Sequence, residues 1–357
     1  MSISGKSTGE NDLSVFKKAT APPDFNNILA VLRRERPARP TLFELFLNGT
    51  LHERMGGPPD ASWSQDLGGH LTTVMAFRNA GYDYCTIGVP NFWFPSGPAR
   101  QESTRSLNEG AVILDRTSFD AYKWPDPGEA DYDLFDRIAP FLPDGMKLIV
   151  LGPCGVLENV IQLTGYENLC YMLTDDRALA SDVFAEVGAR LLQYYRVAVG
   201  YESIGAIIGN DDWGYKSQTM LSADDMRQFV FPWHKQIVAA AHAVGKPAIL
   251  HSCGCLGPVM DDVIDDMRYD ARHSYEDVIQ PVESAYDQYY KRIAVLGGMD
   301  LDFVCRSTPE AIYKRSAAML ARTAATGAYA LGTGNSVPEY VPLTNYFAMI
   351  RAALDLR

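Results

Sequence analysis

Eight short apolar or β-branched runs, each followed by a longer stretch with helical spacing, set the terms for this chain. They fall at residues 41–47, 82–89, 147–152, 205–210, 247–251, 269–273, 293–298 and 329–332. Strands that alternate with helices pair in parallel, because each crossover returns the chain to the same end of the sheet. Eight such units predict an α/β fold, a (β/α)8 TIM barrel, rather than an open doubly wound sheet. Residues 1–36 read as an N-terminal extension with a short helix near 25–35. The break Arg36-Pro37-Ala38-Arg39-Pro40 then leads into a single barrel domain over 37–357.

The helices carry their own signals. Residues 221–244 place Met226, Phe229, Val230, Trp233 and Ile237 at three-and-four spacing, with Ser222 as N-cap and Gly245 and Pro247 beyond the far end. Thr308-Pro309-Glu310 is a second start signal, a cap residue followed by proline and an acid. Residues 176–201 and 344–356 supply further long helices. Two stretches break the alternation, 48–65 after the first strand and 90–130 after the second. The latter predicts a hairpin through 111–116 and 122–124. Long insertions after strands one and two of a barrel land on the C-terminal face, where substrates bind. Trp93, between Phe92 and Phe94, is therefore a candidate pocket wall, or else packs the insertion.

Chemistry in a filled barrel collects where strands stop. The first strand carries Glu44, and the fourth runs into Asn210-Asp211-Asp212-Trp213-Gly214. The fifth runs into His251-Ser252-Cys253-Gly254-Cys255 and the sixth into His273-Ser274-Tyr275-Glu276-Asp277. The seventh leads to Asp300 and the eighth to Gly332-Thr333-Gly334-Asn335-Ser336. In extended backbone, residues two apart share a side, so His251 and Cys253 aim an imidazole and a thiolate at one point. Both are zinc ligands. The alternative is a buried strand end with packing thiols. Cys255, Glu276, Asp212 and Glu44 are all open as third donor, and Asp277 and Asp302 read as helix caps. Nothing in the chain has the spacing of a nucleotide-binding glycine loop or a serine nucleophile elbow.

A formal net charge of −12 argues against nucleic acid and anionic membrane surfaces as partners. No apolar run reaches the roughly 18–20 residues of a membrane span. Six cysteines scattered along 357 residues are not the framework of a small secreted domain, and a reducing cytoplasm is the expected home.

Asp211-Asp212-Trp213-Gly214, His251-Ser252-Cys253-Gly254, His273-Ser274-Tyr275-Glu276-Asp277, Gly297-Gly298-Met299-Asp300 and Gly332-Thr333-Gly334-Asn335-Ser336-Val337-Pro338 run in the family order of the uroporphyrinogen decarboxylase superfamily. The chain resembles most its branch of corrinoid-dependent methyltransferases. That resemblance implies a barrel, methyl transfer involving a corrinoid carried by a separate protein, and zinc held by His251 and Cys253. The third zinc ligand of such enzymes, a cysteine between the strand-eight glycines, corresponds to Thr333 here. The arginine-rich N-terminal motif of the decarboxylase itself is absent, with Leu42-Phe43-Glu44-Leu45-Phe46 in its place.

The expectation is a methyltransferase acting between a small O-, N- or S-methyl compound and the corrinoid. Asp212, His273 and Glu276 are its candidate catalytic residues. Glu44, Trp93, Trp213, Asp300, Thr333 and Asn335 are its candidate substrate- and cofactor-binding residues. A homodimer is allowed, although no residue marks an interface. The rivals are a metal-independent decarboxylase of a smaller acid and a non-catalytic ligand-binding or partner subunit.

Overall fold

Short β-branched and aliphatic runs bury both faces when helices cover a parallel sheet, which is why these strands read as continuous apolar segments. A computed structural model describes residues 16–60, 63–97 and 106–357. Its strands are β1 (Tyr84–Gly88), β2 (Lys147–Leu151), β3 (Ile204–Asn210), β4 (Ala248–His251), β5 (Ala271–His273), β6 (Ala294–Leu296) and β7 (Tyr329–Ala330). They are hydrogen-bonded in chain order, and the β3–β4, β5–β6 and β6–β7 pairs are parallel. The fold is α/β, with helices between successive strands.

The expected first strand, 41–47, is the exception. It makes only isolated parallel bridges, Leu42 to Leu331 and Leu47 to Val337. Midway between them, the Glu44 N–H donates to the Tyr84 hydroxyl and the hydroxyl donates to the Glu44 carbonyl, both at 2.7 Å. A side chain thus satisfies the backbone groups that a ladder would otherwise use.

The described residues gather into two compact units. One takes in the described residues up to Thr86 together with Arg137–Leu148 and Ala271–Arg357; the other comprises Ile87–Asp136 and Ile149–Asp270. In the first, Tyr82, Tyr84, Phe77 and Tyr346 are fully buried, and Tyr82 and Tyr346 share a hydroxyl hydrogen bond at 2.9 Å. In the second, the helices Arg177–Ala198 and Phe231–Ala243 meet at Gly188, where an added Cβ would fall 2.2 Å from the Trp233 indole.

Side-chain caps account for several helix starts. Asp176, Ser222 and Thr308 accept the N–H of Leu179, Asp225 and Ala311, as their positions in the sequence imply. The helical stretch after Ser222 is not uniform. Pro232 offers no N–H to the turn before it, and the chain passes through a widened turn at Met226–Val230 before Phe231–Ala243. The expected hairpin around 111–124 is instead a helix, Arg116–Ala121, started by a reciprocal Asp115–Ser118 capping box. Within 48–65, expected as an insertion, lies the helix Gly49–Gly56, capped by Asn48.

Candidate metal centre and its surroundings

β3 and β4 deliver the centre. Their register sets Asn210 opposite His251, and the Asp211 N–H continues the pairing by donating to the His251 carbonyl at 2.9 Å. Asp212 therefore emerges at the level of the His251 side chain. His251 Nε2 lies 3.8 Å from Asp212 Oδ1 and 4.0 Å from Cys253 Sγ. The three donor atoms all fall within 4.8 Å of one another, the one such group of three among the described residues. A tetrahedral zinc with bonds of about 2.0–2.3 Å holds its ligand atoms roughly 3.5 Å apart, so a contraction of at most about 1.3 Å closes the set. Imidazole, thiolate and carboxylate are the donor types zinc takes, and three of them leave one position open.

The loops carrying these donors are locked to each other. The Cys253 N–H donates to Asp212 Oδ1 at 2.9 Å, and the Trp213 N–H donates to Ser252 Oγ at 3.1 Å. Gly254 has φ of +88°, and a Cβ there would sit 2.2 Å from the Gly214 backbone. Only glycine fits this crossing. Cys255 donates its N–H to the Tyr215 carbonyl at 2.8 Å, and its side chain is not part of the donor group.

Behind the centre runs a buried polar chain. The Asp211 oxygens accept the N–H groups of Leu157 and Glu158 at 2.9 Å each, capping the helix Val156–Thr164. The same carboxylate lies 2.9 Å from His234 Nε2, whose Nδ1 lies 2.7 Å from the Tyr269 hydroxyl. Asp211→Ala leaves three polar groups without their acceptor and is expected to cost about 3–5 kcal/mol. A lowered urea midpoint at unchanged m checks this. Burial pushes the Glu158 carboxyl above its ordinary range, with the neighbouring Asp211 and Asp212 charges adding to the rise. Sequence reasoning missed Asp211, Glu158, His234 and Tyr269 as a set. A tandem Asp-Asp was the available signal, one acid turning inward to cap and the next outward.

Glu44, Thr333 and His273 come together in the other unit, and all three are fully buried. Thr333 donates its N–H to Glu44 Oε1 and its hydroxyl to Glu44 Oε2, both at 2.7 Å. His273 Nε2 lies 3.2 Å from the Thr333 carbonyl, and its ring packs edge-on to Phe43. Burial raises the Glu44 carboxyl from 4.5 to about 8, against the pull of the Thr333 hydrogen bonds.

The remaining candidates are spread more widely. Asp300 accepts the N–H of Phe303 and caps Leu301–Arg306, while its second oxygen accepts the Asp277 N–H. Asp277 itself pairs with Arg315, and Asp302 pairs with Arg306 four residues on, so neither is the cap expected of it. Glu276 and Asn335 are half-buried. Trp93 is 59% exposed. Trp213 is fully buried, edge-on to the His234 ring at 4.9 Å.

Comparison with known proteins follows the same lines. The family model for uroporphyrinogen decarboxylase (URO-D) matches residues 114–356. No curated protein matches the chain. Among solved structures, a methyltransferase from Methanosarcina mazei superposes with a TM-score of 0.67 at 15% identity, covering 92% of this chain and 97% of that one. A structure named for a vitamin-B12-independent methionine synthase from Listeria monocytogenes gives 0.49 at 10% identity, covering 95% and 99%. The first of these shares the fold. Among the described residues no helix is long and apolar enough to cross a membrane. The family match spans most of the chain and takes in β2 to β7, the three donor residues and Thr333: the chain belongs to the uroporphyrinogen decarboxylase family.

Proposed function

We propose that this protein is a methyltransferase that moves a methyl group between a small methylated compound and a corrinoid carried by a separate protein. The residues that would hold its metal, zinc by donor type, are Asp212, His251 and Cys253. The observation that carries this reading is the convergence of their three donor atoms within 4.8 Å at the ends of β3 and β4. The shared fold with a methyltransferase supports it.

When bound, the metal supplies Lewis acidity to the heteroatom that loses or gains the methyl group. The chain's own residues do the rest. The Cys253 N–H holds the Asp212 carboxylate in place, and the buried Asp211–His234–Tyr269 chain holds the strand end that presents it. Glu158, raised by burial and neighbouring charge, lines the same cleft as Asp212. The six cysteines, none of them in a disulfide, suit a reducing cytoplasm.

The decarboxylase reading lacks a comparable observation. Metal analysis with a demethylation assay on a methylated corrinoid protein tests the proposal. About one equivalent of zinc per chain and turnover dependent on it are expected. Full activity in metal-free protein sinks the metal centre, and zinc-loaded protein inert toward every methyl acceptor sinks the methyltransferase.

A further inference from the structure

A cavity of about 330 Å³ lies within one unit, between the segment 36–41 and the end of the helix Pro309–Thr323. That volume suits a small molecule. Pro37, Pro40, Leu320, Tyr329 and Leu356 supply apolar wall, and Arg36 and Arg39 supply charge. On a chain of net charge −12, no Asp or Glu stands among the described lining residues of this cavity. Two prolines stiffen the segment that carries both arginines.

Neither guanidinium is spent. Arg36 is exposed and has no hydrogen-bond or ion-pair partner among the described residues. Arg39 donates Nη2 to Asp83 Oδ1 at 2.5 Å and to the Pro22 carbonyl at 2.8 Å. Its Nε is buried, so Nη1, open to solvent and without an acceptor among the described residues, is the donor left to face the cavity. Arg357 stands behind, its Nε donating to the Pro40 carbonyl at 2.9 Å and its Nη2 buried without an acceptor. Burial pulls the Arg357 guanidinium down to about 10; the Asp83 charge opposes the fall, and the like charge of Arg39 adds to it. Among the described residues Asp83 is the one carboxylate hydrogen-bonded to any of the three, so positive charge is in excess here.

We propose that this cavity binds a small organic oxyanion, a carboxylate or phosphate monoester with an apolar body. The oxygens meet Arg36 and Arg39, whose planar forks match either headgroup. The body lies against the proline and leucine wall. Thr41 opens the segment that carries Glu44, and Tyr329 opens β7, which leads to Thr333. The cavity therefore sits where strands start, the end that serves stability rather than chemistry. Its ligand is a second molecule that ties 36–41 to the helix, not the methyl compound.

Calorimetric titration of the whole chain with hexanoate, hexyl phosphate, hexan-1-ol and hexylammonium at one ionic strength tests this. At least one anion is expected to bind at least about tenfold more tightly than the alcohol, with the ammonium weakest, and to raise the thermal unfolding midpoint. The tighter of the two anions names the headgroup. Arg36→Gln removes an exposed, unpaired side chain and should weaken the anions about fivefold or more while leaving the alcohol and the circular dichroism spectrum unchanged. Arg39→Lys keeps a donor for Asp83 but loses the fork, and should weaken them by a similar factor. Equal affinity for the alcohol and both anions, a preference for the ammonium, or no heat with any probe overturns the site. Anion binding that survives Arg36→Gln at full strength overturns it as well.

Discussion

Replacing His251 with alanine is expected to lower bound zinc from about one equivalent to under a tenth and to cut methyl transfer by roughly a thousandfold. Loss of a partner outside the ligand shell weakens metal binding about 10–100-fold, and loss of a ligand exceeds that. His251 is also the buried member of the set, fixed by the β3–β4 register, whereas Asp212 and Cys253 are half-buried on loops. Without it, two donors remain at a site that needs three. Elemental analysis and the demethylation rate check the result. Cys255→Ala is the control, since it sits on the same loop outside the donor group and should retain both metal and rate. Stoichiometric zinc in the His251→Ala protein would mean that the centre lies elsewhere.

The second large effect concerns Glu44 and pH. Its carboxyl rises from 4.5 to about 8 on folding, because it is buried. In that window the folded chain holds a proton that the unfolded chain has released, so raising the pH favours unfolding. The contribution is fully present below pH 4.5 and is lost as pH climbs through about 8. At about 1.4 kcal/mol per unit the whole shift is worth about 5 kcal/mol, an upper figure. Glu44→Gln keeps the shape and cannot ionise. The amide oxygen still accepts the Thr333 N–H, and the amide nitrogen can donate to the Thr333 hydroxyl, reversing the direction of that one bond. Urea titrations from pH 5 to 9 should show the wild-type stability falling relative to the variant; parallel curves would refute the assignment.

Local signals in the sequence carried the helices well, because a cap and its helix lie within a few residues of each other. Thr308-Pro309 and Asp176 needed nothing beyond their neighbours. The same kind of signal was available at Asp115 and Ser118, and outweighs the aromatic run that suggested a hairpin there. The first strand was harder to read, since the hydroxyl that replaces its ladder comes from Tyr84, 40 residues away. At the candidate site, the alternation of extended backbone was enough to put His251 and Cys253 on one side. Asp212 joins them only through the register of two strands separated by a long helix, which no local pattern encodes. Polar residues at strand ends also look alike in sequence whatever their fate. Asp300 caps a helix, Glu44 is sealed in with Thr333, and Asp212 faces a cleft. Burial separates those fates, and burial is a property of the assembled chain.

The crossing of Gly214 and Gly254 makes one inheritable cassette of two loops that are distant in the sequence. Main chain meets main chain there, so no neighbouring side chain can be trimmed to make room. A chimera importing either loop alone from a relative with any larger residue at the matching position would jam at this crossing, whatever donors it carried. Transplanting the donor set therefore means moving 211–220 and 251–256 together. Retuning it in place means changing Asp212 or Cys253 and leaving both glycines alone. The same constraint couples the loops in motion, because a displacement that carries Asp212 away carries the Cys253 loop with it.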